Sequence, residues 1–167
     1  MAAKTLGSLT NVHIDFFLWL QSTRVATTIA NSLFLLAGLS AVHLVGLTLL
    51  VGGTLVSSLR MAGIFLAGRP VADITGDPDR GVVVGLGISV VTGLLLFAPR
   101  ASAAGENGVF QLKMCLLIAA ASFHFTARRR IIRQPATSPG QLRRAGLVGL
   151  ALWISVALAG CAFIFLE

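Results

Sequence analysis

The chain has 167 residues, of which 56% are hydrophobic and 11% charged, with a mean hydropathy of +0.89. Soluble domains carry roughly 25% charged residues, and a domain this small cannot enclose so much apolar surface, so lipid is expected as part of its solvent. This excludes a soluble globular enzyme, a disordered regulator and a disulfide-stapled module. The net charge of +7 comes without a basic groove interleaved with aromatics, so nucleic acid is not an expected partner.

Residues 1–24 read as a polar tail followed by a short helix. Met1 to Thr10 lack the basic, apolar and small-residue regions of a signal peptide. Asn11 can cap a helix starting at Val12. Val12 to Gln21 is too short to span a bilayer, and Phe16, Phe17 and Trp19 suit the membrane interface.

Residues 25–167 read as a four-helix transmembrane domain. The first apolar segment runs from Val25 to Gly52, with a possible helical continuation to Ala67. Arg24 to Arg60 would then measure roughly 54 Å, longer than a bilayer core of about 30 Å. It must protrude, tilt or break near Gly52-Gly53, and the Leu55 to Ala67 extension is a candidate partner surface. The other segments are Gly81 to Ala98, Val109 to Ala127 and Ala145 to Leu166. The expected fold is all-α, an up-down four-helix membrane bundle with a short N-terminal interfacial helix.

Charge sets the expected orientation. Arg60, Arg69, Arg80, Arg128, Arg129, Arg130, Arg133, Arg143 and Arg144 fall at one end of the spans, against Lys4, Arg24, Arg100 and Lys113 at the other. The positive-inside rule places the Arg-rich end in the cytoplasm of a bacterial inner membrane, with both termini outside. Small residues at Gly81, Gly85, Ser89 and Gly93, and at Ala151, Ser155 and Ala159, form close-packing faces. Asp73, Asp77 and Asp79, beside Gly76 and Pro78, suit a solvated turn and lack the spacing of a calcium loop.

Ionisable residues inside spans are functional candidates: His43 in the first, Lys113 and His124 in the third. His43 lies 14 residues after Ile29 and His124 lies 15 after Val109, each roughly 21–23 Å from the outer boundary. Two imidazoles at one depth suit the axial positions of a b-type haem. Ser40 and Gly46 leave room beside His43, and Ala120 and Ala121 beside His124. Arg128, one turn on, is placed to pair with a propionate. Electrons would pass to a quinone or a membrane redox partner. The alternative for both histidines is hydrogen bonding across helices in a cofactor-free subunit or scaffold, homo- or hetero-oligomeric. A third reading is copper handling by His13, Met114 and Cys115, a weak trio because adjacent residues face different directions on a helix. Lys113 can snorkel to the outer headgroups or pair with Asp15 or Glu106. No phosphate loop, HExxH, GxSxG or hydrolytic triad is present, so nothing indicates an enzyme.

The pieces Trp19-Leu20-x-Ser22-Thr23, Ile29-Ala30-x-Ser32-x-Phe34, Leu39-Ser40-Ala41-Val42-His43-Leu44-x-Gly46, Leu59-Arg60-Met61-x-Gly63, Gly93-Leu94-x-x-Phe97 and Phe110-x-x-Lys113-Met114 resemble an uncharacterised family of small bacterial membrane proteins. That family is similar in layout to cytochrome-b-like bundles and to copper-resistance D membrane proteins. The resemblance implies a fold rather than an activity. It directs attention to His43, Arg60 and Lys113.

Overall fold

The computed structural model describes residues 14–65, 71–133 and 138–166. His13 and the cap expected at Asn11 lie outside these. Every element among the described residues is helical. Helix α1 spans 14–22, α2 Arg24–Ala30, α3 Leu33–Met61, α4 Val71–Phe97, α5 Ala101–Glu106, α6 Gly108–Ser122, α7 Arg129–Arg133 and α8 Pro139–Leu166. Among the described residues, four stretches are long and apolar enough to cross a membrane: Leu33–Met61, Arg80–Glu106, Gly108–Ile132 and Pro139–Gly160.

The first apolar segment is interrupted where polar side chains take over the backbone. Thr23 caps α2 by accepting from Ala26 N–H, and Ser32 caps α3 by accepting from Leu35 N–H. Serine and threonine at such positions satisfy donors that a helix start leaves open. The break therefore falls at Asn31-Ser32 and not near Gly52-Gly53, where α3 continues unbroken to Met61. The helix ends on Gly63, at φ +74°. Gly63 N–H donates to Arg60 C=O and Ile64 N–H to Leu59 C=O, a Schellman arrangement that satisfies the last carbonyls.

The expected turn around Asp73, Asp77 and Asp79 is instead the first part of α4, which begins at Val71 and passes through Pro78. Helix α6 is capped by Asn107, whose side chain accepts from Val109 and Phe110 N–H. It runs into a π-helical turn, Phe123–Arg128, where Thr126 back-bonds to the Ser122 carbonyl. Such hydroxyl bonds compete with the regular ladder. Helix α8 starts with a reciprocal cap: Gln141 N–H donates to Ser138 Oγ, and Ser138 N–H to Gln141 Oε1.

Packing follows the small residues. A Cβ on Gly85 would fall 2.5 Å from Leu50 N and 2.6 Å from Gly46 O, and one on Gly46 would fall 2.8 Å from Ser89 Oγ. These contacts run antiparallel along α3 and α4 at nearly backbone-to-backbone distance, as small-residue faces allow. Helix α8 packs on α3 through Gly146, whose Cβ position is 2.6 Å from Ser58 O. Leu50, Val82, Ala120, Trp153 and Val156, drawn from α3, α4, α6 and α8, form one apolar core. At the other end Phe17 of α1 meets Gly105 and the ring of Phe97, which stacks on Phe110. Trp19 remains 61% exposed, as suits an interfacial helix.

Candidate functional site

Helix α3 presents His43 to α4. Its Nδ1 lies 2.8 Å from Thr92 Oγ1, and Thr92 Oγ1 donates to Ile88 C=O at 2.6 Å. A hydroxyl has one proton, and here the carbonyl takes it. Thr92 is thereby placed to accept from His43, and in that tautomer Nδ1 carries the ring proton and Nε2 the lone pair; the Ser89 backbone also hydrogen-bonds the ring. Gly93 leaves the ring room, since a Cβ there would crowd His43 Cε1 at 3.3 Å.

Lys113 completes the surroundings. Its Cε and Nζ lie 3.8 and 3.9 Å from the Cβ position of Gly160, so its side chain lies against α8. It is within electrostatic reach of His43. The result is an imidazole anchored to Thr92 and within the field of an ammonium, both in apolar helices.

His124 stands elsewhere. A Cβ on Gly149 would meet both the Phe123 ring, at 3.4 Å, and Ser58 Oγ, at 3.5 Å. Residue 124 is thus level with Ser58, about 22 Å along α3 from His43 at 1.5 Å per residue. The structure does not bring the two imidazoles together, and one iron cannot take both as axial ligands. The equal-depth expectation failed for two reasons: it counted through Asn31-Ser32 as continuous helix, and it took α3 and α6 to start at one level, whereas the Gly149 contacts set α6 deeper along the bundle than α3. Measured from the true starts, His43 lies about 15 Å along α3 and His124 about 24 Å along the α6 direction.

The residues expected to make room for a macrocycle have other neighbours. Gly46 is filled by Ser89 and Ile88 of α4, Ala120 belongs to the apolar core, and Ser40 Oγ donates to Leu36 C=O. Ala121 is half-buried on α6. Arg128 is buried, like His124, at the far end from His43. Cys115 is exposed, and no group of three or more His, Cys, Asp or Glu able to hold a metal ion occurs among the described residues.

Sequence reasoning found His43 and Lys113 but not Thr92 or Ser57. Neither is ionisable, and that was the criterion for a candidate within a span. The Arg-rich end is also more polar inside than expected: Thr54, Ser57, Ser58, Arg60, His124 and Arg128 are all buried.

No curated protein and no solved structure matches the chain. A family model does, across residues 16–166, nearly the whole described fold. The chain therefore belongs to a family of unknown function, DUF6644.

Proposed function

We propose that this is a multi-pass membrane protein, with its Arg-rich end in the cytoplasm of a bacterial inner membrane, that binds a b-type haem through His43. The observation that carries the reading is the Ile88–Thr92–His43 chain of hydrogen bonds. Metal-ligating histidines almost always donate their second ring N–H to an anchored acceptor, which fixes the tautomer and aims the lone pair. Thr92 does this for Nε2. Haem brings four nitrogens of its own, so a single protein ligand suffices where a bare metal ion needs a cluster. Lys113 favours haem further, because its charge opposes a free divalent cation but attracts a propionate. Bound there, haem supplies one-electron Fe(III)/Fe(II) chemistry, with a potential set by burial and ligand. His124 has no part in this site.

A second reading is a cofactor-free membrane subunit, in which the His43–Thr92 bond only clamps α3 to α4. The tight Gly46–Gly85–Ser89 crossing at the same face favours it. The two separate on an absorption spectrum of detergent-purified protein from haem-sufficient cells. A Soret band that shifts on dithionite reduction supports haem. A featureless visible spectrum, both before and after haem is added to the purified protein, removes it and leaves the subunit reading.

A further inference from the structure

Arg60 sits in the last turn of α3, only 7% exposed, and its Nε has no hydrogen-bond partner among the described residues. A buried cationic donor without an acceptor is costly. One turn back on the same face, Ser57 is fully buried, and its Oγ likewise lacks a partner among the described residues. Arg60 lines a cleft of about 370 Å³, together with Gly63, Gly140, Leu142 and Arg143. Volumes of this order hold small ligands. None of the described residues that line the cleft is acidic.

Three features give the cleft one electrostatic sign. Arg60 and Arg143 contribute guanidinium groups from two helices. The N-terminus of α8, a 28-residue helix, adds the positive end of its dipole. The opposing negative end of α3 is muted, because its last carbonyls are taken by Ala62, Gly63 and Ile64 N–H. Guanidinium forks and helix N-termini are both suited to phosphate oxygens.

We propose that this cleft binds a phosphate oxyanion, as carried by an anionic phospholipid headgroup or by free phosphate. Arg60 meets it from within the helix pair and Arg143 from the rim. The proposal is independent of the haem reading, since Gly146 packs this junction against Ser58 and Met61, far from His43.

The test uses the full chain in neutral detergent, titrated with inorganic phosphate, and the same chain in nanodiscs of phosphatidylcholine with or without phosphatidylglycerol. Bound lipid is counted by native mass spectrometry, and phosphate binding by calorimetry. A response to phosphatidylglycerol alone identifies a headgroup site, and a response to inorganic phosphate identifies a soluble anion; either supports the proposal. Arg60→Gln should weaken binding about tenfold or more, as expected for a lost charge-assisted bond. Arg143 is exposed, so Arg143→Gln should fold normally and still weaken binding. Arg144→Gln removes the same charge from outside the cleft and should change little. Absence of saturable binding in both arms overturns the site, as does an equal loss in Arg143→Gln and Arg144→Gln.

Discussion

Thr92 decides what His43 can do. Its hydroxyl accepts from Nδ1 only because Ile88 C=O takes its proton. Thr92→Val keeps the shape but removes the acceptor, and should weaken haem binding 10- to 100-fold, as loss of such supporting bonds does. Thr92→Ser should restore most of it. Spectrophotometric haem titration of the two variants checks this. If Thr92→Val titrates like the parent, Thr92 does not hold the ligand. His43 was legible in the sequence because an ionisable group in an apolar run stands out. Thr92 was not, because a threonine among valines and glycines looks like packing until its helix is laid against its neighbour.

Helices here are placed by glycines that differ sharply in surroundings. Gly146 has Ser58 O at 2.6 Å from its Cβ position, whereas Gly52 has nothing within 4 Å. Gly146→Ala should therefore part α3 from α8 and cost about 1–3 kcal/mol. Gly52→Ala, in an open helix interior, should be neutral or stabilise by up to about 1 kcal/mol. Thermal melts in one detergent decide it, and equal shifts for the two would contradict the packing described. At the start of α8, Ser138→Ala should remove the reciprocal cap at a cost of about 1 kcal/mol, read in the same assay. The apolar segments were visible from composition, but their ends were not. Ser32 interrupts the first by capping, and the acidic stretch before Gly81 joins α4 despite Pro78. One consequence was the mistaken depth of His43. Another was the π-helical turn at His124, which no periodicity announces.

The whole molecule divides by polarity along its length. An aromatic cluster around Phe17, Phe97 and Phe110 lies at one end, an apolar core in the middle, and buried Arg60 and Arg128 at the other. Large apolar side chains such as Leu33 and Phe34 are 84% and 87% exposed, an arrangement that lipid tolerates and water does not. The charge asymmetry predicts the sidedness. With Cys115 and Cys161 replaced by Ala, a cysteine at Arg130 should react with a membrane-impermeant maleimide only from the cytoplasmic side. A cysteine at Ser22 should react only from the outer side. Reversed labelling would invert the orientation without moving His43 within the fold.

Haem bound through His43, without His124, makes opposite spectral predictions for two variants. Haem is titrated into purified parent, His43→Ala and His124→Gln, and the Soret band is followed in both oxidation states. Binding should be saturable in the parent and in His124→Gln, and lost in His43→Ala with helical content unchanged. Binding that survives in His43→Ala, or that disappears in His124→Gln alone, would contradict ligation by His43.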